Sequence, residues 1–155
     1  MTSRRTPAVV AAALAASFLL SATGCEESAD DRRAGYCDAV KQQSEHVRKT
    51  VDEGGAGAFL DVLPTLQDLA DQAPSDLKDE WRTLINALDG LRDALDDTGL
   101  EPGDLQEGGG LPAGLSAEDR RTVRGAASVL ASPEVVAATQ GIEQQALDVC
   151  KQPLL

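Results

Sequence analysis

Aromatic residues are scarce in this chain: one Trp, one Tyr and two Phe among 155 residues, or 3%. Because 42% of the residues are apolar all the same, a core has to be assembled from Leu, Val, Ile and Ala. That content also excludes a wholly disordered chain. Histidine is scarcer still, with His46 alone. Basic residues are outnumbered, 14 against 26, for a formal charge of −12. Such a surface repels phosphate backbones and anionic lipid heads, so no nucleic-acid partner is expected, nor adsorption through a basic patch. The longest apolar run, residues 7–20, counts 14 residues, short of the ~20 that span a bilayer as a helix. Sustained period-two alternation and Asn-Gly turns between apolar segments are missing, which argues against sheet, and no repeat of solenoid length is present.

What is there begins with a leader. Arg4 and Arg5 precede the apolar run and small residues follow it, so residues 1–24 read as a secretory signal. The run ends in Ser21-Ala22-Thr23-Gly24-Cys25, which resembles the lipobox of bacterial lipoproteins. That resemblance implies a diacylglyceryl group on the Cys25 thiol, cleavage just before it, and retention on the outer face of the cell membrane by more than one acyl chain. Where the family most often has Leu three residues before the cysteine, this chain has Ala22. Ala22-x-Gly24 also suits an ordinary signal peptidase, which would release a soluble protein. The cysteine count favours the lipid: the chain holds three, and lipid on Cys25 leaves Cys37 and Cys150 as an even pair for an oxidising compartment. Ser3-Arg4-Arg5-Thr6 faintly resembles a twin-arginine signal, but Pro7-Ala8 stands where that family has bulkier residues, and general secretion is the default.

Residues 26–35 (EESADDRRAG) contain no apolar side chain beyond two alanines and read, with Cys25, as a flexible lipidated tether. A ten-residue coil spans on the order of 17 Å. Helical period dominates residues 36–152, read as one bundle domain. In residues 36–53, Cys37, Val40, Ser44, Val47 and Val51 mark one face, and Gly54-Gly55 ends it. Residues 58–72 form a second segment, with Pro64 predicting a kink or restart. Leu77, Trp81, Leu84, Leu88, Leu91 and Leu95 form a heptad seam, closed by Gly99. Residues 98–115 are the one long loop. Ser116 caps a fourth helix with Val123, Ala127 and Leu130 inward, and Ser132-Pro133 starts a last one with Val135, Ala138, Thr139, Ile142, Ala146 and Val149 inward. The expected fold is all-α: an antiparallel bundle of four to five helices.

Cys37 lies at the start of the first helix and Cys150 at the end of the last, so neighbouring antiparallel helices would bring them together. A disulfide closing a loop of ~100 residues contributes about 4.7 kcal/mol in the chain-entropy model. Redox pairs usually sit two residues apart and a metal site wants further ligands, so a structural disulfide is expected.

With the lipobox, Tyr36-Cys37-Asp38-Ala39-Val40-Lys41 at the opening and Ile142-Glu143-Gln144-Gln145-Ala146-Leu147-Asp148-Val149-Cys150-Lys151 at the close, the chain resembles a group of small lipoproteins of high-GC Gram-positive (actinobacterial) bacteria. The resemblance implies an address and a framework, and assigns no activity.

Candidate chemistry is thin. His46 lies beside the apolar face of the first helix with no nucleophile motif near it, and reads as a surface residue. Asp89, Asp93, Asp96 and Asp97 crowd the end of the third helix, where the dipole disfavours them, but without the alternation of a calcium loop. Trp81 sits in the heptad seam and reads as core. Leu100, Leu105, Leu111 and Leu115 in the long loop either present a partner site or fold back over the bundle. No catalytic residue, metal site or cofactor is expected. The expected function is a non-catalytic interaction module that meets an unknown protein or envelope partner and is held to the membrane by diacylglyceryl on Cys25. The alternative is a carrier of a small ligand or cation, with a pocket between helices.

Overall fold

The computed structural model describes residues 28–105 and 110–155. The leader, Cys25 and the first residues of the tether lie outside the described residues. Six α-helices follow in order: α1 Ala29–Glu53, α2 Ala58–Asp61, α3 Leu63–Gln72, α4 Lys78–Asp97, α5 Ala117–Leu130 and α6 Pro133–Gln145. No strand is present among the described residues. The fold is thus the all-α bundle that the periodicity requires.

The seam of α4 is its axis. Leu77, Trp81, Leu84, Leu88, Leu91 and Leu95 are all buried, and α4 packs most extensively on α6 and α5, with α3 alongside. α1 lies against α2, α3 and the turn that follows α6. Glycine and proline set the breaks. Gly54 closes α1 through an N–H bond to the Thr50 carbonyl of 2.8 Å, and Gly55 turns with φ +71°. Gly57 is buried where the chain meets the turn Pro102–Asp104, and a Cβ there would run into the Pro102 carbonyl. Pro64 begins α3 rather than kinking a longer helix, because a proline is accommodated in a first turn whose N–H groups are free anyway. The second segment is therefore split in two, which raises the helix number to six. Ser116 accepts the Asp119 N–H and Ser132 the Val135 N–H, as capping residues do. Gly99 supplies the left-handed residue, φ +68°, after α4.

Three details depart from the sequence reading. α1 begins at Ala29, so most of the stretch read as a flexible tether is helical, and Cys37 lies two turns inside α1 rather than at its start. The cause is local: Ser28 caps the helix by accepting the Asp31 N–H, Asp30 and Asp31 suit its positive end, and Arg33 pairs with Asp30 at 3.1 Å. On α5 it is Ala126, not Ala127, that packs against the core with Val123 and Leu130. Third, α6 gives way to a π-helical turn, Ala146–Cys150. Its wider winding delays the return of the inner face by one residue. Ala146 is buried, but Val149 is 44% exposed, and Cys150 takes the inward place instead.

Candidate functional site

Cys37 and Cys150 are joined in a disulfide with 4.9 Å between their Cα atoms and a sequence separation of 113. It ties α1 to the π-turn, linking the first and last helices as the spacing demands. Beneath it, Trp81 Nε1 donates to Tyr36 Oη at 3.2 Å, with the rings edge to face at 6.5 Å. Both residues are buried. Burial pushes the Tyr36 hydroxyl up to about 12, the Trp81 bond offsets part of the rise, and the nearby negative Glu143 adds to it. Glu143 also holds the C-terminal segment, accepting the N–H groups of Leu154 and Leu155 at 3.0 and 2.9 Å. Leu154 is fully buried. Each polar group named here acts as a tie, although open depressions border Tyr36 and Trp81 at the surface.

The opposite half is different. α5 and α6, joined through Ala131 and Ser132, both pack on α4 but touch each other little. α2 is a single turn that packs on α4. Between these elements an open cleft of about 300 Å³ remains. Its floor is Leu84, Leu88 and Leu91 of α4, and one wall is Phe59 and Leu60 of α2. Leu130, Val135 and Val136 form the other, with Thr139 and Gln140 at one edge. Val136 at the cleft is 44% exposed, and Val129 on the neighbouring turn 50%. The cleft carries no charged side chain. Thr139 Oγ1 already donates to the Val135 carbonyl at 2.9 Å, whereas Gln140 is exposed and has no hydrogen-bond partner among the described residues. An arrangement of this kind can bind apolar groups, and it offers no group that would move a proton.

The remaining sequence candidates scatter. His46 is exposed on α1. Asp89 accepts from Gln67 Nε2 at 3.1 Å and from Arg92 at 2.8 Å, which ties α3 to α4 and absorbs part of the carboxylate crowding. Among the described residues no three His, Cys, Asp or Glu side chains are placed to hold a metal ion. Of the loop leucines, Leu100 is buried and Leu105, Leu111 and Leu115 pack against the core. They cover the bundle rather than stand out from it. Arg120 fixes the end of that loop by donating to the carbonyls of Pro112, Ala113 and Leu115. No helix among the described residues is long and apolar enough to cross a membrane.

Sequence reasoning missed Tyr36 and Glu143, and its alternative of a pocket between helices named no residue that would line one. Tyr36 precedes Cys37 and stands four residues before Val40, so its place on the apolar face of α1 was readable. The cleft was not, because its wall residues look like any other core positions. No protein-family model, curated protein or solved structure matches the chain.

Proposed function

We propose that the chain is an extracytoplasmic lipoprotein, exported through residues 1–24 and anchored by diacylglyceryl on Cys25, whose helical domain is a non-catalytic binding module working through the cleft beside α4. The open apolar cleft carries this reading. A soluble bundle ordinarily closes such a gap, because unfilled apolar surface forfeits packing contacts. Here Leu84, Leu88 and Leu91 line it with an exposed Val136 at its edge. The Cys37–Cys150 disulfide supports the address, since such bonds persist in oxidising compartments. The lipid anchor rests on the Cys25 motif and on the pairing of the other two cysteines, which leaves Cys25 alone to be modified.

Two experiments test the two halves. Cys25→Ala is expected to release the protein from the membrane fraction or to block its maturation; membrane retention without lipid would contradict the anchor. A photo-crosslinking residue at Val136 is expected to capture a specific species in intact cells, while the same residue at exposed Leu147 captures none. Equal labelling from both sites would remove the binding role from the cleft. Between a protein partner and a small ligand, the volume favours the ligand: about 300 Å³ lies at the lower edge of small-molecule sites, roughly 300–1,000 Å³.

A further inference from the structure

The chemistry of the cleft narrows what fits it. In a chain with 26% charged residues, none of the charged side chains lines this space. The floor and inner wall, Leu84, Leu88 and Val135, are branched aliphatic side chains that are themselves buried. An open apolar cleft of that kind gains by covering its lining with apolar matter, which takes that surface out of water. The neutral polar group at the edge is the exposed Gln140 amide. An apolar space with one neutral amide at its rim matches a molecule with an aliphatic tail and a small polar head.

Resting on the reading of the cleft as a binding site, we infer that its occupant is a single-chain amphiphile with an uncharged head. The tail lies against Leu84, Leu88 and Val135, and the head reaches Gln140. The size suits a short tail: with a methylene taken at roughly the 30 Å³ that a water occupies in the liquid, about 300 Å³ corresponds to on the order of ten carbons. The charge sets the head. The lining has no cation to meet a carboxylate or phosphate, and the net charge of −12 repels anions generally. An extended peptide fits poorly, because its backbone N–H and C=O groups would meet Leu and Val side chains and stay unpaired.

The test is calorimetric titration of the full chain bearing Cys25→Ala, free of detergent, with 1-monoacylglycerols of increasing chain length, each below its micelle concentration. Saturable one-to-one binding is expected, tightening about fourfold per methylene up to roughly ten carbons and then levelling as the cleft fills. Decanoate at neutral pH is expected to bind about tenfold more weakly than the decanoyl glycerol, by the charge argument. Val136→Trp, at an exposed position that tolerates a larger side chain, should weaken binding about tenfold or more, and Leu147→Trp should not. Gln140→Ala should narrow the gap between neutral and anionic heads without abolishing tail binding. An absence of saturable binding, a gain per methylene with no upper limit, or indifference to Val136→Trp would overturn the inference. So would a dimer in sedimentation that Val136→Trp dissolves, since a second copy would then be the occupant. If amphiphiles fail while the Val136 crosslinker captures a defined protein, this inference falls and the binding role stands; if both fail, the cleft is not a site.

Discussion

The two ends of this bundle are packed by different rules. At the disulfide end covalent and polar ties hold the elements together: Cys37–Cys150 bridges α1 to the π-turn, Trp81 bonds Tyr36, and Glu143 gathers the amides of Leu154 and Leu155. At the other end, equally apolar side chains from α2, α4, α5 and α6 surround a space they do not fill. What differs is geometry. The π-turn brings a cysteine inward at the tied end, while the short α5–α6 bend and one-turn α2 hold the helices apart at the other. The tied half serves as the frame, and the open half is where another molecule can be accommodated.

Breaking the ties should have the largest effect. Replacing Cys37 and Cys150 by Ser is expected to lower the free energy of unfolding by about 2–5 kcal/mol in urea titrations. A change below ~1 kcal/mol would mean that the ends are held by packing alone. Tyr36→Phe comes next, at about 1–3 kcal/mol, since it strands the buried indole N–H of Trp81 without altering the ring. The same variant carries a pH signature. The Tyr36 hydroxyl is raised from 10.0 to about 12 in the folded chain, so the folded state holds its proton more tightly than the unfolded one. The associated stability is fully present below pH ~10 and is lost as pH climbs toward about 12. Denaturant midpoints measured across that window should fall more steeply for the natural chain than for Tyr36→Phe.

Enlarging side chains sharpens the contrast in sign. Ala146→Leu adds volume beside the disulfide where none is free, and should destabilise by about 1–3 kcal/mol. Val136→Phe adds volume at the cleft and should be neutral or stabilising by up to about 1 kcal/mol. Thermal melts of the two variants compare the ends directly; equal penalties would show that the cleft is as rigidly packed as the disulfide end. Arg120→Ala is the smallest change. It frees the Pro112, Ala113 and Leu115 carbonyls, and should speed amide exchange around residues 112–115 while moving global stability by only about 1 kcal/mol or less.

The seam of α4 was legible because seven-residue spacing of Leu and Trp has few other readings, and the breaks at Gly54, Pro64 and Gly99 were legible because each residue type restricts the backbone in a known way. The cysteine pairing followed from where the first and last helices begin and end. The early start of α1 was hidden, since residues 29–35 are polar on all sides and are held by a cap and an ion pair rather than by burial. The π-turn was hidden as well: Val149 fits an α-helical face perfectly well, and a wider winding at that point comes from tertiary closure around Cys150. The cleft depends on how far α5 and α6 stand apart, a quantity that no local pattern encodes. Sequence therefore placed Leu84, Leu88, Leu91, Leu130 and Val135 inward, but pointed neither to Val136 and Gln140 at the edge nor to the space between the helices.

Xenon tests the contrast between the two ends most directly, because it settles in apolar hollows without needing a polar partner. In crystals or in solution under xenon pressure, occupancy is expected in the space bounded by Leu84, Leu88 and Val135 and lost in Val136→Trp, with none beside Tyr36 and Trp81. Xenon at the disulfide end, or none in the cleft, would contradict it.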